Sequence, residues 1–163
     1  MEGMEFMNNY DEILKELEEQ EKLFQFTEFS NETALKIGIL LIEKAKRENK
    51  VIVVDISRSN GQQLFHYELD GTCEDNGHWP VRKARVVNRF GHSSLYIGTR
   101  LKRDGETLHG NLFLEPAEYS TYGGSFPIII KNAGIIGTIT VAGLPDVEDH
   151  NLVVSCIKEY LGK

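Results

Sequence analysis

Apolar residues in the first third of the chain recur at helical spacing. Tyr10, Ile13, Leu14 and Leu17 fall at i, i+3, i+4 and i+7, one stripe on a segment otherwise rich in Glu and Lys. Asp11 with Lys15, and Glu18 with Lys22, add weak i,i+4 support. LFQFTEF then alternates, which predicts a short strand. Ser30 predicts an N-cap for the helix NETALKIGILLIEKAKREN. Its apolar residues, among them Leu35, Ile37, Ile39 and Leu41, spread over most of its girth, so it should be covered on two sides. VIVVDISRS is a β-branched run that predicts a strand, SNG a turn, and QQLFHYEL its antiparallel partner. DGTCEDNG reads as loop. HWPVRKARVVNRFGHSSLYIGTRLKR reads as one long helix, with Pro80 in its first turn and Trp79, Val86, Phe90 and Ile97 on one face. Gly91 and Ser93-Ser94 weaken its middle. A short helical turn is expected over Glu115–Tyr119. SFPIIIK and GIIGTITVAG predict a hairpin turning at KNAG, with Pro127 confining the first strand to a sheet edge. Asp146 predicts the cap of a last helix whose first turn holds Glu148 and Asp149 and whose stripe is Leu152, Val153, Cys156, Ile157 and Tyr160.

Hairpins dominate and no βαβ alternation is visible. The expected class is therefore α+β, an antiparallel sheet flanked by helices. With 163 residues, one domain over 1–163 is expected, residues 1–23 forming a less constrained N-terminal helix. A net charge of −7 argues against nucleic acid and anionic membranes as partners. The acidic start lacks the basic-then-apolar order of a signal peptide, and no apolar run has membrane-spanning length, so a cytoplasmic location is expected. Cys73 and Cys156 are expected as free thiols.

Several residues invite chemistry. Gly123-Gly124-Ser125 offers backbone N–H groups to an anion, but it leads into a strand rather than a helix, and a glycine turn entering a hairpin is the simpler reading. Arg82, Arg85 and Arg89 form a ridge at i, i+3 and i+7, suited to salt bridges with acidic surface or to an anionic ligand or partner. Lys83 lies on the apolar side of the same helix, between Trp79, Val86 and Phe90. It is open to snorkelling, a buried ion pair or a pocket wall. His150, beside Asp149, suits a base or a ligand. A triad with Ser125 would need a strained nucleophile turn that the sequence does not carry. The five histidines (His66, His78, His92, His109, His150) never form HxH, HxxxH or HExxH, so no metal site is expected, and any axial haem ligand would be a lone histidine. No catalytic residue can be assigned.

DNGHWPVRKARVVNRFGHSSLYIG followed by YGGSFPIIIKNAGIIGTITVAGLPDVEDHNLVV resembles the UPF0303-type branch of the GlcG/HbpS-like, haem-degrading-domain superfamily. The resemblance runs from about Phe24 to Leu161. It is carried by Trp79, Lys83, Ser93-Ser94, Gly123-Gly124-Ser125-Phe126-Pro127, Gly137, Gly143-Leu144-Pro145 and Asp149-His150. Ala142 departs from it, standing where the family often has Ser. The resemblance implies a profilin-like fold, a homo-oligomer and, in some relatives, haem or corrinoid binding. It implies no reaction, so a haem-degradation role rests on distant likeness alone. The expected function is an oligomeric small-molecule-binding protein for haem, a corrinoid or an anionic metabolite. Its pocket is expected near Trp79, Lys83, Ser94, Gly123, Gly124, Ser125, Phe126 and His150. The alternative is a protein-interaction or assembly module without catalysis.

Overall fold

The computed structural model describes residues 2–163, with side chains from Asn9 onward. Helix α1 (Glu2–Leu23) and helix α2 (Asn31–Arg47) precede a hairpin, β1 (Val53–Arg58) and β2 (Gln63–Glu68). Three helices follow: α3 (Glu74–Phe90), α4 (Ser94–Asp104) and the single turn α5 (Leu108–Leu112). A second hairpin, β3 (Ser125–Ile130) and β4 (Gly134–Ala142), leads into α6 (Asp146–Leu161), where Pro145 takes the cap position and Asp146, expected as the cap, is the first helical residue. The strands form one antiparallel sheet in the order β2-β1-β4-β3, which places β3 at an edge. This is the α+β architecture the hairpin pattern predicts. Among the described residues, no helix is long and apolar enough to cross a membrane.

Strand alternation gives the sheet two different faces. Val54, Ile56, Phe126, Ile128, Ile139 and Val141 point to one side and form the core with α2 and α6. Asp55, Ser57, Ser125, Thr138 and Thr140 lie on the other side, beneath α3, and all five are buried or half-buried. A polar sheet face under a helix is unusual, and both sites considered below lie on it.

Ser30 caps α2 as expected: its Oγ accepts from Thr33 N–H at 3.2 Å, and Thr33 Oγ1 accepts from Ser30 N–H at 3.1 Å. The Phe65 ring lies flat against Gly38, where any side chain would collide with it. Helix α2 buries Ala34, Ile37, Leu41 and Ala45 on one stripe and leaves Leu35 and Ile39 exposed, so it is covered on one side within the chain.

Two elements differ from expectation. LFQFTEF makes only a single bridge, Phe26 to Ile130, because it meets the end of β3 and nothing continues beyond it. The long helix is two helices. Gly91 turns left-handed (φ 73°), its N–H bonds Val87 C=O, and Ser93 caps α4 by accepting from Tyr96 N–H at 3.2 Å. The first of the two also begins four residues before His78. Asn76 accepts from Cys73 N–H at 2.8 Å and so starts α3 at Glu74, leaving Pro80 in the second turn rather than the first.

Candidate functional site

One helical turn separates Trp79 from Lys83 on α3, so both project toward the same side. Facing them are Tyr122, the end of β4 at Ala142, the Gly143-Leu144-Pro145 link and the first turn of α6. The last turn of α4 adds Lys102. Together they enclose an open cleft of about 430 Å³. The Trp79 and Tyr122 rings stand at its rim, centroids 5.7 Å apart and planes inclined at 49°. The Arg82 guanidinium covers Trp79 at 4.1 Å from the ring centroid and also donates to Pro116 C=O, which fixes the indole from behind.

A buried ion pair closes the floor. Lys83 Nζ donates to Asp149 Oδ2 at 2.8 Å, to Gly123 C=O at 2.9 Å and to Val141 C=O at 3.1 Å, so each ammonium N–H has an acceptor. Asp149 Oδ1 accepts from Leu144 N–H at 3.1 Å. Four segments are tied together by these bonds: α3, the glycine turn, β4 and α6. Burial pushes the Asp149 carboxyl up to about 6 and lowers Lys83 from its ordinary value, while the pair's mutual attraction opposes both shifts. The glycines make the tripod feasible. Gly124 has φ +133°, and a Cβ there would lie 2.9 Å from Lys83 Nζ and run into Val141 C=O. A Cβ on Gly123 would strike Asp146 C=O. The glycine pair is thus a close-approach device for the lysine.

Of the residues picked from the sequence, Trp79 and Lys83 line the cleft, and Gly123 and Gly124 form the turn at its floor. The structure places the remaining four behind that floor. Ser94 Oγ accepts from Ser125 N–H at 3.1 Å and ties α4 to the edge strand. The Ser125 hydroxyl pairs with Thr140 Oγ1 at 2.8 Å and is fully buried. Phe126 belongs to the core on the opposite sheet face. His150 lies beneath α1, with Nε2 2.8 Å from Gln20 Oε1, its ring 6.0 Å from Phe126, and Nδ1 without a partner. Burial pushes His150 down to about 4, so it is neutral at physiological pH. Tyr122, Lys102 and Asp146 were not picked from the sequence. Tyr122 had a signal: it is an aromatic residue directly before the glycine pair.

The arginine ridge is engaged within the chain. Arg82 and Arg85 donate to Pro116 and Glu118 carbonyls, and Arg89 lies over Tyr119 at 5.9 Å. The three clasp the 115–119 turn onto α3. No group of three or more His, Cys, Asp or Glu able to hold a metal ion occurs among the described residues. No histidine lines the cleft.

The sequence profile described as "Haem degrading protein HbpS-like" matches residues 29–158. A UPF0303 protein of Streptomyces coelicolor is 43% identical over 148 residues, covering 91% of this chain and 93% of that one. Among solved structures, that of the Ybr137w protein superposes with a TM-score of 0.84 at 31% identity, covering 91% of this chain and 87% of that chain. The crystal structure of a PduOC:heme complex shares the fold, with a TM-score of 0.68 at 16% identity, covering 79% of this chain and 92% of that chain.

Proposed function

The chain belongs to the HbpS-like family, and from that premise we propose that it binds a flat, acid-bearing small molecule in the Trp79 cleft. The observation that carries the reading is the pair of rings at the rim above a rigid, ion-paired floor. Offset or tilted aromatic contacts contribute about 0.5–1.5 kcal/mol each beyond the area they bury, and two rings offer a planar ligand both an edge and a face. Lys102, exposed at the mouth, suits an acidic substituent.

Haem or a corrinoid held through an axial histidine does not fit this cleft. His150, the histidine expected to serve, is enclosed between α1 and the sheet and already bonded to Gln20. Binding here therefore rests on the ring face and the acidic groups of the ligand, and needs no metal. Trp79 is the single tryptophan, so its fluorescence reports on the cleft directly. Haemin and metal-free protoporphyrin should both quench it saturably, with dissociation constants within a factor of ~10 of each other, and Tyr122→Ala should weaken both by ~10-fold. Unchanged fluorescence, or binding confined to the iron form with a histidine-ligated spectrum, overturns the reading.

A second reading, compatible with the first, is a homo-oligomer assembled through α2. Leu35 and Ile39 stand one turn apart on its outer face, 42% and 44% exposed, and give it a self-complementary apolar stripe.

A further inference from the structure

The polar face of the sheet carries a second hollow, on the opposite side of α3 from the Trp79 cleft. It measures about 420 Å³, within the ~300–1,000 Å³ of small-molecule sites. Its floor is Asp55, Ser57 and Thr138, one wall is the Val81–Asn88 side of α3, and its rim is the β1–β2 turn. We propose that this hollow is a binding site for a neutral polyhydroxylated molecule of monosaccharide size, independent of the ligand in the Trp79 cleft.

Two observations on the floor point to a ligand. Thr138 is fully buried, and its hydroxyl has no hydrogen-bond partner. The register explains why. Thr140, two residues on, lies opposite Ser125 and bonds its hydroxyl, whereas Thr138 lies between Pro127 on β3, which has no polar side chain, and Ser57 on β1, whose hydroxyl is committed to Asp55. A buried hydroxyl without a partner is costly, and one lining a hollow is satisfied by what fills the hollow. The second observation is Asp55. Its carboxylate is buried yet fixed in place by Ser57 Oγ at 2.6 Å, Gln63 Nε2 at 2.6 Å and His66 Nδ1 at 2.9 Å. The strand pairing shifts register between Ile56 and Ser57, a bulge of the sort that re-aims side chains beside functional sites.

The lining selects the class of ligand. Three donors already answer the charge of Asp55, so it does not require a cation, and it disfavours an anion. Arg58 and Arg85, at the edge of the hollow, donate to the neutral acceptors Asn31 Oδ1 and Glu118 C=O, and the charged probes below test whether they draw an anion instead. What remains on the lining is a mixture of acceptors and donors: the free lone pair of Asp55, the Thr138 hydroxyl and the Asn88 amide N–H₂. Each hydroxyl group is donor and acceptor at once, and several on one small neutral frame match such a mixture. No aromatic residue lines the hollow, so the ligand here is not a stacked ring.

The test is titration calorimetry on the full chain with D-glucose, D-ribose, myo-inositol and glycerol, and with inorganic phosphate and ethanolamine as charged probes. At least one neutral polyol should bind saturably. Thr138→Val, which keeps the shape and removes the hydroxyl, and Asn88→Ala, at an exposed helix position that keeps the fold, should each weaken it ~10-fold or more, while Tyr122→Ala leaves it unchanged. The proposal is overturned if no polyol saturates below about 10 mM, if a charged probe binds in their place, or if Asn88→Ala and any folded Thr138→Val bind as the parent does. Because Tyr122→Ala is the variant that weakens the first site, failure at one site leaves the other standing.

Discussion

Lys83 and Asp149 illustrate how one buried residue pair organises a site. Breaking such a pair leaves the remaining charge or dipoles without a partner, and costs about 3–5 kcal/mol, whereas replacing both members with apolar residues is often neutral. Lys83→Met should therefore lower unfolding stability by roughly that amount, and Lys83→Met with Asp149→Leu should recover most of it; denaturant titration measures both. His150, the next residue, makes a pH prediction. Its folded pKa, about 4, lies below the unfolded value of 6.5, so the unfolded chain takes up the proton first as pH falls. Its contribution to stability is complete above about pH 6.5 and is lost progressively down to about pH 4, at about 1.4 kcal/mol per pH unit. Asp149 has the opposite sign, its folded pKa being raised, so the parent curve alone mixes the two. Comparison with His150→Gln isolates the histidine. Relative to the variant, the parent should lose about 2 kcal/mol between pH 6.5 and pH 5. A difference that does not change over that window would mean that His150 is not held neutral by burial.

At the scale of elements, the hairpins and the start of α2 were legible, and the bounds of α3 and α4 were not. β1–β2 and β3–β4 announce themselves through β-branched runs flanking Ser-Asn-Gly and Lys-Asn-Ala-Gly, because turn chemistry is local. The start of α3 was hidden because Asp-Asn-Gly reads as a turn. Gly77 instead sits inside the helix, beneath the Glu68 carboxylate, a tertiary neighbour that the local sequence does not reveal. The break between α3 and α4 had a visible signal in Gly91 and the serine pair. What settles it is nonlocal: Glu21 on α1 accepts from Ser93 N–H at 2.8 Å and holds His92 Nδ1 at 2.7 Å. Burial raises the Glu21 pKa, and the bonds from Ser93 and His92 work against that rise. Gly91→Ala should cost about 1 kcal/mol through the left-handed backbone alone, read as a lower thermal midpoint. The candidate site was half legible for the same reason. Trp79 and Lys83 share a helical face that spacing reveals. Ser125 and Phe126 follow the glycine turn directly in sequence, yet both enter the interior as the first residues of β3, and the α4 cap turns Ser94 inward as well.

For the whole molecule, the question is which surface an assembly would use. The edge of β3 is a weak candidate, although its run is apolar and free of charge up to Lys131. Phe26 occupies its far end, with Phe26 N–H bonding Ile129 C=O at 2.8 Å and Lys131 N–H bonding Phe26 C=O at 2.9 Å. Pro127 removes a donor from its middle, and Ser94 answers the Ser125 N–H at its start. The arginine ridge is engaged with the 115–119 turn and offers little to an acidic neighbour. Helix α2 remains. Its outer face carries Leu35 and Ile39, flanked by Glu32, Lys36 and Glu43, so an antiparallel pairing about a two-fold axis brings apolar groups together with acidic and basic neighbours around them. Such a contact needs on the order of 1,200 Å² of buried surface to be stable, more than two side chains supply, so the neighbouring turns of the helix must take part. Light scattering at micromolar concentration should give a multiple of 18.5 kDa, and Leu35→Glu with Ile39→Glu should return the monomer mass without altering the quenching of Trp79. A parent protein that scatters as a monomer would instead make these residues ordinary surface leucine and isoleucine. A charged double variant that remains assembled would move the interface to another face of the molecule, of which Phe113, 86% exposed at the end of α5, is the next to test.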